Sequence, residues 1–373
     1  MKRFFSAPGR IEICGNHTDH QRGRVLAAAI NLEATASVEA NGTNIIRISN
    51  EAFGDNEIDI NCLKFQRKEI GTPASLVRGV ASRFAHFGYP IGGFDAEISS
   101  NVPIGAGLSS SAAFEVLIGN ILKGLFGADI SKMEIAKIGQ YAENNYFGKP
   151  CGLMDQTSSS FGGLNVIDFE DLENPVVTPV HTDFKGYEIC VVDTGGSHAD
   201  LTPDYTACTR EMKLIAKHFN KEHLRDVIEN EFYASLKELR RHGDRASLRA
   251  IHFFNDHNRV LKQAKALEDG DIKSFLDLVI ESGRSSLAYL QNVYSPTRQQ
   301  EQGLTLALAL SEMILAGRGA WRVHGGGFAG TILAFVPKDL ELEYYRKMSA
   351  VFGPDSCHFL EINEHGGREL DRC

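Results

Sequence analysis

The stretch from Asn101 to Glu115, Asn-Val-Pro-Ile-Gly-Ala-Gly-Leu-Ser-Ser-Ser-Ala-Ala-Phe-Glu, constrains this chain more than any other. Gly105 and Gly107 lack Cβ atoms, so the backbone there adopts positive φ and comes close to a ligand at little steric cost. Ser109, Ser110 and Ser111 then open an amphipathic segment through Val116, Leu117, Ile118 and Leu122, which predicts a helix. The first turn of such a helix offers unpaired N–H groups and the positive end of the helix dipole. Three hydroxyls add further donors or a metal ligand, so the stretch suits an anion. Residues 105–111 read either as a triphosphate cradle or as an ordinary glycine–serine turn capping a helix. The stretch alone does not choose between them.

The rest of the chain limits the choice. Its 373 residues, 43% hydrophobic, suffice for a large core. At ~150 residues per domain they predict two domains or one two-lobed unit. A net charge of −9 with no basic run argues against nucleic acid or an acidic membrane as partner, while leaving room for an anionic substrate held by local donors. Seven scattered cysteines without a Cys-x-x-Cys pair argue against a disulfide framework or a zinc ribbon, and for reduced thiols in a cytosol. No apolar run approaches ~18 residues, and the start reaches Pro8 and Gly9 before an apolar stretch of signal-peptide length. The expectation is a soluble, cytoplasmic protein with no membrane partner.

Residues 7–23 predict a short strand entering a polar loop in which Arg10, Asn16, His17, Asp19 and His20 crowd beside Gly15 and Gly23. A surface loop explains any one of them; five together suit a polyhydroxylated ligand. Val25–Ile30, Ala34–Val38 and Ile45–Ile48 predict antiparallel strands with a turn at Asn41-Gly42. Thr72-Pro73 predicts a helix start, and Ser131 with Glu134 a capping box. Asp155 is expected in a short turn after Gly152, and Thr202-Pro203 is expected to cap a helix carrying Tyr205 and Arg210. Residues 210–316 are dominantly helical, and Gly325–Gly330 lies between two strands.

That last run matches G-x-G-x-x-G, but a dinucleotide site needs it to open a helix, so it reads as a tight hairpin. His324-Gly-Gly-Gly has no Gly-x-Ser-x-Gly elbow to serve, which removes the esterase reading. With no Walker lysine motif either, the coherent candidate is phosphoryl transfer from ATP on another scaffold. Such chemistry needs a phosphate cradle, a carboxylate and a hydroxyl for Mg²⁺, a carboxylate near the acceptor hydroxyl, and a fixed cation. Glu143 and Ser111, Asp155, and Arg10 are candidates for the last three. Each acidic residue alone also fits a solvated or capping role; the case rests on their joint appearance.

With these residues in view, the chain resembles galactokinases, within the GHMP class of small-molecule kinases, over nearly its whole length. Pro8-Gly-Arg-Ile-Glu-Ile-Cys-Gly-Asn-His-Thr-Asp19, Pro103-Ile-Gly-Ala-Gly-Leu-Ser-Ser-Ser-Ala-Ala113 and Gly325-Gly-Gly-Phe-Ala-Gly330 carry the resemblance, in the family's order. Ala142-Glu143, Pro150-Cys-Gly-Leu-Met-Asp-Gln156 and the segment through His198, Leu201, Tyr205 and Arg210 add to it. The resemblance implies a two-lobed α+β fold with the site between the lobes. The N-terminal domain, 1–185, would be a mixed sheet with helices, and 186–373 a helix-rich α+β lobe. It implies Asp155 as catalytic carboxylate with Arg10 its partner, ATP on Pro103, Gly105, Ala106, Gly107, Leu108, Ser109, Ser110, Ser111 and Ala112, and Mg²⁺ on Ser111 and Glu143. Asn16, His17, Asp19, Gly152 and Tyr205 fall at sugar-contacting positions. The implied reaction phosphorylates galactose at its anomeric hydroxyl, in a monomer whose partner is the small sugar.

Two positions depart from the family pattern: Asn16 stands where Glu is usual, and His20 where Tyr is usual. An amide in place of a carboxylate removes a negative charge and adds donors, which suits a C6 carboxylate, and Asp19-His-Gln21 is similar to galacturonokinases. Galacturonate 1-kinase is therefore the rival enzyme, and a non-catalytic sugar and ATP sensor the rival from another class. The remaining motifs favour galactose. The chain also begins close to its signature, so the family's lead-in is expected to be short or absent.

Overall fold

β1 (Arg3–Cys14) and β2 (Arg24–Ala40) pair antiparallel over most of their length, with register breaks at Pro8/Arg10 and Glu12/Cys14. A proline has no N–H to give the ladder, so a break beside Pro8 is expected. The computed structural model describes residues 1–373 except 51–53, 183, 198–200 and 372–373. After β2 come β3 (Ile45–Asn50), β4 (Asn56–Asp59), α1 (Pro73–His86), β5 (Phe94–Ser100), α2 (Ser110–Phe126), α3 (Lys132–Ala142) and α4 (Met154–Phe161). β6 (Leu164–Asp168) and β7 (Val176–Pro179) complete this half. Then follow β8 (Tyr187–Asp193), α5 (Thr202–His218), α6 (Glu229–Ala234), α7 (Leu236–Leu239), α8 (Asp244–Glu268), α9 (Ile272–Ser285) and α10 (Gly303–Leu315). The chain closes with β9 (Ala320–Val323), β10 (Thr331–Pro337), α11 (Glu341–Phe352), β11 (Cys357–Leu360) and β12 (Arg368–Leu370).

Among the described residues the strands form two sheets. An eight-stranded mixed sheet runs β12-β1-β2-β5-β3-β4, with β6 and β7 continuing from β2, and a four-stranded sheet runs β11-β8-β10-β9. The architecture is α+β, as expected. One buried apolar cluster joins the two sheets, from Phe5, Ile11 and Leu117 through Val260 and Val279 to Leu333 and Phe335. Burying each such side chain contributes on the order of 1.5–3 kcal/mol, so this shared core fixes the sheets relative to each other.

Three local expectations change. The turn after β2 exists, but β2 and β3 do not pair: β5 lies between them, antiparallel to β2 and parallel to β3. Asp155 lies in the first turn of α4 rather than in a free turn. The N-cap of α5 is Leu201, so Thr202 and Pro203 already belong to the helix, where proline is tolerated. The capping box at Ser131 and Glu134 forms with both bonds present.

Candidate active site

The glycine–serine loop closes on β1. Gly105, Gly107 and Ser109 take φ of 82°, 69° and 60°. Ser109 is the N-cap of α2, yet its hydroxyl bonds Asp155 and makes no cap bond. Ala106, Leu108 and Ala112 are buried and anchor the loop, Pro103 and Ser109–Ser111 are half-buried, and Gly105 is exposed. A Cβ at Gly107 would stand 2.9 Å from Thr331 Oγ1. His324 Nδ1 lies 2.9 Å from the same hydroxyl, and Glu12 N donates to His324 Nε2 at 3.1 Å. The β9–β10 hairpin thus backs the loop, as a hairpin packing closely against another element should.

Arg10, on β1, links the loop to α4. Its Nε and Nη2 donate to the two Asp155 carboxylate oxygens at 2.8 Å each, and its Nη1 donates to the Gly107 carbonyl at 2.6 Å. Its own backbone N–H bonds Leu108 O at 3.1 Å. This is the two-point fork that a planar guanidinium makes with a carboxylate. Burial pushes the Asp155 carboxyl up, but the Arg10 charge and the bonds from Arg10 and Ser109 outweigh it and hold Asp155 below the ordinary aspartate value.

Glu143 opens a π-helical turn, Glu143–Phe147, at the end of α3 and is almost wholly buried. Ser111 Oγ donates to its Oε1 at 2.9 Å, Lys149 Nζ stands 3.3 Å from the same oxygen, and Gln156 Nε2 donates to Oε2 at 2.8 Å. Gln156 also donates to Glu115 Oε2 at 2.9 Å. Glu115 is fully buried, and that burial lifts its carboxyl well above the usual range. A hydroxyl and a carboxylate oxygen converging beside the start of α2 are hard donors of the kind Mg²⁺ takes.

The signature loop between β1 and β2 supplies the remaining residues. Asp19 accepts from the His20 N–H at 2.8 Å, and burial raises its carboxyl to about 6. Gly152 lies so close that any Cβ there would overlap Asp19 Oδ2. His17, at φ 57°, bonds the Gly326 carbonyl through Nε2 at 2.9 Å and stacks on Tyr205, the ring centroids 6.5 Å apart. Burial lowers its imidazole to about 4, so it is neutral near pH 7. Tyr205 donates to Gly327 O at 3.0 Å. Arg210 is exposed on α5, and His198 lies outside the described residues.

Asn16 is placed differently from its neighbours. It is 0% exposed. Its Nδ2 donates to Glu12 Oε1 at 2.9 Å and to the Gly325 carbonyl, and its Oδ1 accepts from Asn292 at 2.7 Å. Both amide hydrogens are spent inside the protein, which leaves none for a C6 carboxylate. Sequence reasoning also missed Glu12, whose carboxyl burial lifts to about 7 against the pull of Arg322, and Gln156, Lys149 and Asn292. Glu12 and Gln156 lay inside the quoted motifs. Asn292 carries no local signal.

Comparison with known proteins agrees with this geometry. A family described as GHMP kinases N terminal domain matches residues 75–163, and one described as Galactokinase galactose-binding signature matches residues 2–40. Galactokinase of Glaesserella parasuis serovar 5 is 33% identical over 352 residues, covering 92% of this chain and 87% of that protein. The chain belongs to the galactokinase family. Among solved structures, Lactococcus lactis galactokinase complexed with galactose superposes with a TM-score of 0.85 at 25% identity, over 99% of this chain and 95% of that one. A mevalonate kinase, at 16% identity and a TM-score of 0.66 over 96% and 99% of the two chains, shares the fold. In this chain the β9–β10 hairpin touches both the signature loop and the glycine–serine loop, and among its described residues no helix is long and apolar enough to cross a membrane.

Proposed function

We propose that this chain transfers the γ-phosphoryl group of ATP to the anomeric C1 hydroxyl of galactose, giving galactose 1-phosphate and ADP. The observation that carries the reading is the Arg10 fork. It holds Asp155 against the phosphate loop while Ser109, in that loop, bonds the same carboxylate. ATP lies with its phosphates on residues 103–112, facing the first turn of α2, and galactose lies against His17, Asp19, Gly152 and Tyr205. Asp155 orients the C1 hydroxyl for in-line attack and accepts its proton as the new P–O bond forms and the β–γ bridge breaks. A carboxylate held so acidic is a weak base, so orientation contributes more than proton abstraction, as a loose phosphoryl transition state allows. Arg10 stabilises charge on the transferred group. Ser111 and Glu143 would hold Mg²⁺, which when bound would neutralise phosphate charge.

The same reading takes 1–185 and 186–373 as the two domains, acting as a monomer in the cytoplasm. Sheet membership supports the division, since β1–β7 share one sheet and β8–β11 the other, with β12 alone returning to the first. The six described cysteines are all free, which fits a reducing compartment.

The test is a sugar panel with ATP, read by ADP release and identification of the sugar phosphate. Galactose should give the highest kcat/KM and a C1 phosphate. Preference for galacturonate, or ATP binding without turnover of any hexose, would overturn the reading.

A further inference from the structure

The signature loop carries the residues placed around galactose, yet its backbone is held from a distant part of the chain. We infer that one turn of α8, through His252 and Asp256, is a positioning device that sets the galactose-binding geometry of residues 15–19. The inference rests on the sugar reading above.

Asp256 is fully buried and accepts two successive backbone N–H groups, from Gly15 at 3.1 Å and from Asn16 at 3.0 Å, both on Oδ2. Consecutive N–H groups turned to one side form a small anion-binding concavity, and here a side chain of the protein fills it. One helical turn earlier, His252 Nε2 meets the Asn16 carbonyl at 2.9 Å. Because that carbonyl only accepts, Nε2 carries the hydrogen, and Nδ1 accepts from Ser285 Oγ at 2.9 Å. Residues four apart share one helix face, so a single turn grips the N–H of residue 15 and both polar groups of residue 16.

The same helix holds the far end of the loop. His257 Nδ1 accepts from the Arg24 N–H at 3.1 Å, and a Cβ at Gly23 would stand 2.9 Å from Phe253. The grip is fixed in turn: Ser282 Oγ, on α9, donates to Asp256 Oδ1 at 2.9 Å, and Arg259, one turn further along α8, bonds the same oxygen. His17 at φ 57° is a conformation that a non-glycine residue in a free loop visits rarely, and the clamp on residues 15 and 16 beside it supplies bonds that hold this arrangement. Relaxing it lets His17 and Asp19 drift from the sugar while leaving the phosphate loop untouched.

The test uses the full chain with Asp256→Asn, which keeps the shape and removes the charge. The galactose KM should rise roughly tenfold, with kcat falling less than KM rises and the dissociation constant for ATP within about twofold. Amide hydrogen exchange in the peptide covering 14–19 should quicken, and that covering 103–112 should not. Equal losses in both substrates' constants, or an unchanged galactose KM, overturn the inference. If Asp256→Asn does not fold, the paired Ser282→Ala/Ser285→Ala variant loosens the same two side chains more gently and should raise the galactose KM roughly threefold with ATP affinity kept; no rise overturns the inference. Wild-type protein without galactose turnover would instead sink the sugar reading, so the two failures are told apart.

Discussion

At Asp155 two opposing influences meet on one carboxyl. Burial favours the protonated form, while Arg10 and Ser109 favour the anion and prevail. A group held below its unfolded value stabilises the fold above that value, and the contribution is lost as pH falls through the folded one. Asp155 therefore stays ionised through the whole neutral range. Asp155→Ala should lower kcat by about 10²–10⁴-fold while nucleotide affinity, measured by titration, stays near wild type; a near-normal kcat would refute the role. Asp19 has the opposite sign. Burial raises it to about 6, so the folded protein holds that proton more tightly than the unfolded chain. Its stabilising contribution is present below the unfolded value and lost as pH rises through about 6. In the role proposed for Asp19, as an acceptor of sugar hydroxyls, the ionised form is the useful one. The galactose KM should therefore climb as pH drops from 7 towards 5, and Asp19→Asn should flatten that dependence.

Between elements, the decisive contact joins the loop before α2 to the β9–β10 hairpin. Gly107 sits at φ 69°, and a Cβ there would press on Thr331 Oγ1 and approach His324. Gly107→Ala should destabilise the protein by about 1 kcal/mol or more and raise the KM for ATP more than that for galactose. An unchanged ATP KM would mean that the hairpin does not shape the phosphate site. The loop and the hairpin were both legible in the sequence because glycine spacing is a local signal, and so was the capping box of α3. The pairing of β2 with β5 was not: the turn at Asn41-Gly42 announces a reversal, not which strand comes to lie beside it. Asp155 was found as a residue but misplaced as an element, because Gly152 disguises the start of α4. The chemistry of Asn16 misled for a related reason. Its type suggested a donor for substrate, whereas Glu12, Gly325 and Asn292, the last two some 300 positions away, decide where that amide points. The grip of α8 on the signature loop left no trace at all in a stretch read only as helical.

Across the whole molecule, the C-terminal return ties together the two pieces that bring Arg10 and Asp155 face to face. β12 pairs with the start of β1, and Arg3 on β1 forks onto Glu369. Just before β12 the chain passes the end of α4: Gly367 N donates to Ser159 O at 2.9 Å, and a Cβ at Gly366 would collide with Ser160 O. Asn363 O accepts from Gly163 N at 2.7 Å, anchoring the same strap to the start of β6. β1 carries Arg10 and α4 carries Asp155, so the strap is bonded to both elements that present the Arg10–Asp155 fork. Deleting 364–373 leaves the β1 edge open, with unpaired N–H and C=O groups available to other chains. The truncated protein should melt several degrees lower, as loss of one or two kcal/mol produces in a chain of this size, and should lose activity and solubility together. Gly366→Val separates the two causes, because it keeps β12 to cover the edge while pushing the strap off Ser160. If the strap matters only as an edge cover, that variant stays soluble with full turnover; if it also sets the Arg10–Asp155 geometry, soluble protein should show reduced kcat with both substrates still bound.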